Sequence, residues 1–217
     1  MLPRFYSIAS AQALYPEELH LLVTAVSYQI NGHLRHGVAT SFLCHDAMIG
    51  ETPIPLYLQP TRGFSLPPDS HTPIIMVGPG TGVAPFRAFL QERLATQAQG
   101  RNWLFFGERH QKSDFYYDVF WVALEKQGRL RLDLAFSRDG KEKIYVQHRM
   151  WEKRKDLWAW IEEGAYFYVC GDGKTMARDV EEMLIRIAAS EGNLTDEAAR
   201  QKIKSLRTAK RYRMDVY

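Results

Sequence analysis

The apolar residues of this 217-residue chain follow two patterns, and the first gives way to the second near residue 70. Before that point, short segments rich in β-branched and aromatic residues predict strands over residues 5–9, 20–28 and 54–59. Asn31 and Gly32 predict a hairpin turn. Residues 66–73 contain three prolines, which neither a helix nor a central strand accommodates. We therefore place a boundary there, between a domain over 1–70 and a domain over 71–217.

After residue 73 the strands become continuous apolar runs that alternate with segments of helical period. The runs cover residues 74–77, 103–106, 131–136 and 166–170, and the helical segments cover 85–97, 114–126, 147–163, 175–189 and a last stretch between Thr195 and Tyr212. Continuous apolar strands are typical of a parallel sheet that is covered on both faces. The pattern therefore predicts an α/β fold for this part of the chain.

Composition excludes several classes of protein. The chain is 46% hydrophobic and 24% charged, which is ordinary for a globular protein. Its apolar runs are far shorter than the ~18 residues that span a bilayer, and the first residues lack a signal sequence, so we expect a cytoplasmic location and no membrane partner. Its two cysteines form no CxxC motif, and no Cys/His cluster accompanies them, so we expect no disulfide framework and no metal site. The net charge is only +3, and we interpret the basic residues within 201–213 as a solvated face, with no nucleic-acid partner.

A glycine-rich loop follows the first apolar strand. Gly78, Gly80 and Gly82 stand between that strand and a helix that Pro85 opens, since proline suits the first helical position. Such a loop lets the backbone approach a phosphate, and the helix N-terminus favours an anion. The string lacks the third glycine of the usual dinucleotide fingerprint, so a plain structural turn remains an alternative.

The ends of two later strands carry further candidate binding residues. After the strand over 131–136 come a hydroxyl, two cations, an aromatic ring and an amide: Ser137, Arg138, Lys143, Tyr145 and Gln147. These groups suit a phosphomonoester and a stacked adenine, which favours NADP over NAD; a charged surface hairpin is the alternative. Glu108 is a competing candidate for the ribose-binding acid of an NAD enzyme. Cys170 ends another strand, where it either faces the site or packs as a small hydrophobic residue.

The segment Arg4-Phe-Tyr-Ser resembles a motif of the ferredoxin-NADP reductase superfamily, in its diflavin branch. Segments 37–41, 78–86, 137–147 and 170–172 and the aromatic C-terminus match further motifs of the family in order. The resemblance covers essentially the whole chain. It implies a parallel five-stranded NADP-binding sheet with helices on both faces, preceded by part of an antiparallel FAD-binding β-barrel.

The resemblance also implies roles for individual residues in binding FAD. Arg4 would bind the pyrophosphate, Tyr6 would stack on the isoalloxazine, and Ser7 would reach toward flavin N5. Thr24 would line the flavin edge, and Tyr217 would cover the other face of the ring. The second pyrophosphate loop would consist of Gly37, Val38, Ala39 and Thr40.

For NADPH, the resemblance implies a binding set made of Gly80, Thr81, Ser137, Arg138, Lys143, Tyr145, Gln147 and Asp172. Hydride would pass from NADPH to FAD. Three residues have implied catalytic roles: Ser7 would hydrogen-bond near flavin N5, Cys170 would lie beside nicotinamide C4, and Asp215 would orient these two side chains. Tyr217 would have to move aside for the nicotinamide to reach the flavin.

Within the branch, segments 102–107 and 141–147 and the tyrosine ending are most similar to the flavoprotein subunit of NADPH-sulfite reductase, with cytochrome P450 reductase next. This implies onward electron transfer through FMN, carried by another domain or a flavodoxin-like partner, to a sulfite reductase haemoprotein.

The first strands of the family's barrel and its FMN domain have no counterpart here, so we expect a fragment or a chain completed by another polypeptide. Residues 1 to about 66 should then be unstable alone, because a partial barrel leaves strand edges unpaired. Two alternatives remain: a stand-alone flavodoxin or ferredoxin-NADP reductase-like protein, and a non-catalytic NADPH-binding remnant.

Overall fold

A computed structural model describes residues 3–61 and 63–217. Met1, Leu2 and Arg62, which fall within the predicted FAD-binding domain, lie outside the described residues. The N-terminal part contains a hairpin of strands β1 (Ser27–Ile30) and β2 (His33–His36), a short helix α1 (Val38–Ser41) and a π-helical turn, Phe42–Asp46. The predicted hairpin is confirmed: Asn31 and Gly32 both adopt positive φ, as its tight turn requires.

None of the three strands predicted in this part forms over its predicted range. Of residues 20–28, only Ser27 and Tyr28 belong to a strand, β1. Residues 54–59 form no strand, and residues 5–9 contribute only an isolated bridge between Ile8 and Leu21. The apolar side chains of Ile54, Leu56 and Leu58 are exposed. The pattern of these segments is strand-like, but strands form only against a partner, and no strand within the described residues pairs with them.

The rest of the chain is built around a five-stranded parallel sheet, which confirms the predicted fold class. Its strands are β3 (Ile74–Val77), β4 (Asn102–Glu108), β5 (Arg131–Phe136), β6 (Tyr166–Gly171) and β7 (Tyr212–Val216). Their order across the sheet is β5-β4-β3-β6-β7. The order reverses at β3, and sheets of this kind bind their ligands in a crevice beyond the carboxyl ends of the strands at the reversal, here β3 and β6.

Helices cover both faces of this sheet, as predicted. They are α2 (Ala84–Ala95), α3 (Gln111–Asp114), α4 (Asp118–Lys126), α5 (Val146–Glu152), α6 (Arg154–Glu162), α7 (Met176–Glu191) and α8 (Asp196–Thr208). Alternate residues of β3 point to opposite faces: Ile75 and Val77 join a core with α5–α8, while Ile74 and Met76 join a core with α2 and α4. Burial on both faces explains the unbroken apolar runs.

Two predicted helices have different limits in the structure. The segment over 147–163 is two helices, because the backbone leaves the helical region at Lys153 (φ −100°, ψ 15°). The break lets Met150 of α5 and Trp160 of α6 both reach the core. The helix predicted from residue 114 begins only at Asp118, because Tyr117 adopts a left-handed conformation (φ 60°).

The N-terminal part is attached to the sheet region through α2. Arg87 donates a hydrogen bond to the backbone oxygen of Ala9 (2.6 Å), and Gln91 accepts one from the backbone N–H of Ala11 (3.0 Å). The guanidinium of Arg87 also lies 4.8 Å from the centre of the Tyr117 ring. Ala9 and Ala11 are buried, so these contacts fix the segment that carries Ser7 beside the edge of the sheet.

Candidate functional site

The three residues with implied catalytic roles meet at one carboxylate. Asp215 Oδ2 accepts a hydrogen bond from Ser7 Oγ at 3.0 Å and lies 3.9 Å from Cys170 Sγ, which donates a weaker one. Asp215 and Cys170 are neighbours because they are register partners in the parallel pair β6–β7. Ser7 reaches them from 208 residues away along the chain. The cluster therefore depends both on the sheet and on the attachment of the N-terminal part.

The thiol of Cys170 is fully buried within the core on the α2 side of the sheet. Burial, and then the negative charge of Asp215, raises the pKa of this thiol far above its usual value. The sulfur is therefore a neutral thiol near neutral pH rather than a reactive thiolate. The side chain packs in the core, as one of the two interpretations of the sequence has it, and its sulfur lies 3.9 Å from Asp215 Oδ2.

The glycine loop runs against the end of β6. A Cβ added at Gly82 would lie 2.1 Å from the backbone oxygen of Cys170, and one added at Gly78 would lie 2.6 Å from the Phe86 ring. Gly80 has a positive φ of 59°. A tight turn over Gly80–Val83 then leads into α2, with proline in its first turn as predicted. Gly78 and Gly82 thus let the loop pack closely on Phe86 and on the end of β6, at the point where the sheet order reverses.

The C-terminal tyrosine bridges this loop and β6. The hydroxyl groups of Tyr217 and Thr81 are 2.8 Å apart and share a hydrogen bond. The backbone of Tyr217 bonds to Gly171 and Gly173, at 3.1 and 3.0 Å. The tyrosine ring itself remains largely exposed. The side chain is therefore held beside the mouth of the crevice by a single side-chain hydrogen bond.

The carboxylate of Asp172 is hydrogen-bonded to residues at the start of α7. Its Oδ1 accepts hydrogen bonds from the hydroxyl and the backbone N–H of Thr175, both at 2.7 Å, and from the backbone N–H of Met176 at 3.1 Å. These hydrogen bonds, those of Thr175 first, lower the pKa of Asp172 to about 2. Its carboxylate therefore shapes the β6–α7 turn at the edge of the crevice.

The candidate phosphate-binding residues lie between β5 and α5. Ser137 is half-buried, its N–H and hydroxyl both bonded to the backbone oxygen of Glu108 (2.9 and 3.3 Å). Arg138 and Lys143 are exposed, and within the described residues their side chains make no hydrogen bond or ion pair. Tyr145 is also exposed. Two cations without an anionic partner, next to an exposed ring, are what an adenosine phosphate requires.

Two further candidates near this segment have partners of their own. Gln147 donates a 3.4 Å hydrogen bond to Asp179 of α7. Glu108, the alternative ribose-binding acid, accepts a hydrogen bond from the N–H of Arg109 (2.7 Å). Its other carboxylate oxygen lies 3.9 Å from the position of a Cβ at Gly80, so Glu108 borders the glycine loop.

Most of the residues implied in FAD binding lie in two segments, one with Arg4, Tyr6 and Ser7 and the other over residues 37–40. Arg4 is exposed, whereas Tyr6 is half-buried just before Ser7. The turn over Gly37, Val38, Ala39 and Thr40 docks on Val26, whose N–H donates to Thr40 Oγ1 (3.1 Å) and whose oxygen accepts from the Gly37 N–H (2.8 Å). A Cβ on Gly37 would lie 2.8 Å from Thr40 Oγ1.

Thr24 lies beside the hydroxyl of Tyr116, which precedes α4. The pKa of Tyr116 is raised, mainly because the phenol is partly buried. The sequence interpretation missed two residues close to the site, His110 and Asp139, which bond to each other at 2.9 Å. They are 29 residues apart, and only the pairing of β4 with β5 brings them together, so no local pattern reveals them.

Across residues 3–61 and 63–217, no group of three or more His, Cys, Asp or Glu residues is arranged to hold a metal ion. In the same ranges, no helix combines the length and the apolar character needed to cross a membrane.

Comparison with known families gives two matches. An FAD-binding domain model matches residues 1–42, and an oxidoreductase NAD-binding domain model matches residues 76–182. The second match begins within β3 and includes the glycine loop and β4 to β6, and the first includes Arg4, Tyr6, Ser7 and the turn at Gly37.

Curated relatives match nearly the whole chain. The flavoprotein alpha-component of NADPH sulfite reductase from Vibrio cholerae serotype O1 is 50% identical over 216 residues, which is 99% of this chain and 35% of the relative. The same component is 51% identical in Vibrio parahaemolyticus and 50% identical in Citrobacter koseri, where the match covers 34% and 36% of the relative. The chain thus spans about a third of the length of the curated relatives it matches. The two domain matches and these relatives confirm the resemblance: over nearly its whole length the chain is similar to the C-terminal part of sulfite reductase flavoproteins.

Proposed function

We propose that this chain is the part of a flavoprotein reductase that passes hydride from NADPH to FAD. One observation carries the proposal: Ser7, Cys170 and Asp215 converge at the carboxyl end of β6, beside the glycine loop. Residues 1–70 would contribute part of the FAD-binding barrel, and residues 71–217 would bind NADPH. The flavin, when bound, supplies the hydride-accepting chemistry, and the protein supplies the orientation of both rings.

The NADPH-binding half fits its ligand through backbone and charge. The loop at Gly80 and Thr81 offers exposed backbone to the pyrophosphate, next to the N-terminal end of α2. Arg138 and Lys143 supply two cations for a 2′-phosphate, with the hydroxyl of Ser137 between the strand and the loop. Tyr145 is positioned to stack on adenine, while Gln147 and Asp172 border the crevice. These charges favour NADPH over NADH, and so disfavour the role of Glu108 as a ribose-binding acid.

The FAD-binding half fits its ligand less completely within the described residues. At Gly37 a Cβ would lie 2.8 Å from Thr40 Oγ1 and 3.0 Å from Val26 Cβ, so a glycine is needed for this turn, the proposed pyrophosphate loop with Val38 and Ala39, to dock on Val26. Arg4, Tyr6, Ser7 and Thr24 stand on the same N-terminal part. We infer that the remaining wall of the barrel is supplied by polypeptide equivalent to the part of the relatives that the match does not cover.

At the reaction site we assign each side chain a task. Asp215 orients Ser7 and the Cys170 thiol by accepting hydrogen bonds from both. The thiol stays protonated, because burial and the adjacent carboxylate oppose its ionisation. Tyr217 covers the site and is released when its hydrogen bond to Thr81 breaks. Each task concerns position rather than bond making, which is where a protein contributes to hydride transfer.

Electrons would leave FAD through FMN on another domain or on a flavodoxin-like partner. The relatives are named as components of sulfite reductase, so we propose a sulfite reductase haemoprotein as the final acceptor and the cytoplasm as the location. A second candidate function is NADPH binding without catalysis. The exposure of Leu34, Leu56 and Leu58 in the N-terminal part favours it, since an incomplete barrel retains flavin poorly.

The proposal is tested by the rate at which NADPH reduces added FAD under anaerobic conditions. Asp215→Asn keeps the size of the side chain but weakens its hydrogen bonds, so flavin reduction should slow by about 10- to 100-fold. Asp156→Asn is a matched control: Asp156 forms an exposed ion pair with Arg131 away from the site, and its loss should leave the rate unchanged. Equal rates for the wild type and Asp215→Asn would refute the assigned role.

A further inference from the structure

Beyond the end of the sheet, the loops that follow β4 and β5 remain joined. Glu108 and Phe136 are the last register partners of the two strands. The pairing then continues outside the strands, where the N–H of Ser137 donates to the oxygen of Glu108 and the N–H of Arg138 donates to the oxygen of Arg109, both at 2.9 Å.

Asp139 closes this extension with its side chain. One carboxylate oxygen lies 2.9 Å from His110 Nδ1, and the other accepts a 2.7 Å hydrogen bond from the backbone N–H of Gln111. Both oxygens are therefore engaged by the loop that follows β4. These bonds, the one from Gln111 first, lower the pKa of Asp139, so the carboxylate is ionised near neutral pH.

An acid in this place is unexpected on simple electrostatic grounds. Asp139 follows Arg138 directly, and a negative charge beside a phosphate-binding cation repels the phosphate. This repulsion of the phosphate is explained if the carboxylate has a structural role that a neutral residue could not fill. In the structure, the carboxylate of Asp139 bonds to His110 and Gln111, and these bonds hold the loop that carries Arg138 against the loop that follows β4.

We propose that Asp139, together with His110, is a positioning residue for recognition of the 2′-phosphate of NADPH. The pair fixes the loop after β5, so that Ser137 and Arg138 meet the phosphate without a prior ordering cost. This inference rests on the proposed NADPH-binding function and deepens it. It assigns part of the preference for NADPH to two residues that do not touch the nucleotide.

Asp139→Asn should change the affinity for a 2′-phosphate in opposite directions under the two explanations, charge alone and loop positioning. Asp139→Asn removes a negative charge, so if charge alone mattered, a 2′-phosphate would bind more tightly. If Asp139 positions the loop, the same substitution weakens its hold on His110 and binding becomes weaker. We expect binding of 2′,5′-ADP to weaken about 3- to 10-fold, in keeping with the loss of a charge-assisted hydrogen bond at a partly exposed site.

The experiment is calorimetric titration of the 217-residue chain with 2′,5′-ADP and with 5′-AMP, which differ only in the 2′-phosphate. Asp139→Asn and His110→Gln should each weaken 2′,5′-ADP binding and leave 5′-AMP binding unchanged. Glu142→Gln is the matched control, because it removes one negative charge from the same exposed segment without touching the pair. Circular dichroism of each variant verifies that the fold is retained.

Three results would overturn the inference. The first is unchanged or tighter binding of 2′,5′-ADP by both Asp139→Asn and His110→Gln. The second is an equal loss of affinity for both nucleotides, which would indicate a general structural role. The third is a wild-type chain that fails to discriminate 2′,5′-ADP from 5′-AMP; this would refute the proposed NADPH site as well, whereas the first two leave that site intact.

Discussion

Gly82 gives the sharpest test of how the glycine loop is placed. A Cβ at this position would lie 2.1 Å from the oxygen and 2.7 Å from the carbonyl carbon of Cys170, and 3.1 Å from the Cα of Gly171. All three are backbone atoms, so no side chain can rotate away. Because non-bonded heavy atoms are comfortable at roughly 3.2 Å or more, Gly82→Ala must move the loop away from β6 by about 1 Å.

We expect this displacement to destabilise the chain by about 2 to 4 kcal/mol, the upper range for overpacking in a well-packed region. Gly80→Ala is the control, because Gly80 also lies in the loop but has open space, with its nearest neighbouring atom at 3.9 Å. Its positive φ of 59° should cost only about 1 to 2 kcal/mol. The difference between the two variants isolates the contact with β6.

The assay is urea unfolding followed by tryptophan fluorescence, combined with titration of 2′,5′-ADP. Gly82→Ala should lower the midpoint more than Gly80→Ala does, and should weaken nucleotide binding by more than tenfold, since the loop no longer abuts β6. A Gly82→Ala protein as stable as the Gly80→Ala protein would refute the close approach of the loop to Cys170.

Two further predictions concern Asp172, beyond the carboxyl end of β6, and Arg93, which bonds to residues that precede β3 and β4. Asp172 has a folded pKa of about 2, below the value of 3.8 that is usual for an Asp side chain, so its contribution to stability is present above about pH 4 and is lost as the pH falls toward 2. Asp172→Asn should flatten that part of the profile in acid unfolding monitored by circular dichroism; an unchanged profile would contradict the capping role. Arg93 is buried and donates to the oxygens of Thr72 and Gly100 (3.1 and 2.7 Å). Arg93→Met should therefore cost about 2 to 4 kcal/mol in urea unfolding, and a cost below 1 kcal/mol would exclude this role for the guanidinium.

The sheet could be predicted from sequence because its strands are buried on both faces. Residues 74–77 and 166–170 are apolar at every position, which is a strong signal that does not depend on identifying the partner strand. The glycine loop was also predictable, since glycines and a proline mark its turn and the start of α2. Both signals are local.

What failed depended on distant parts of the chain. Residues 54–59 are rich in apolar residues like a strand, yet without a partner within the described residues they remain irregular and exposed. No glycine or proline marks the break at Lys153 in the sequence. The break is set by how α5 and α6 pack on the sheet. The contact between Ser7 and Asp215 was implied only by the family resemblance, and no spacing within the chain specifies it.

The most direct test of the central claim is the visible absorption spectrum of the purified chain with added FAD, recorded during anaerobic addition of NADPH and, separately, NADH. We predict that flavin remains bound after removal of excess FAD and that its absorption band bleaches with NADPH and hardly with NADH. A chain that NADPH protects from thermal unfolding, but that neither retains flavin nor reduces it, would contradict the claim and identify a nucleotide-binding protein without hydride transfer of its own.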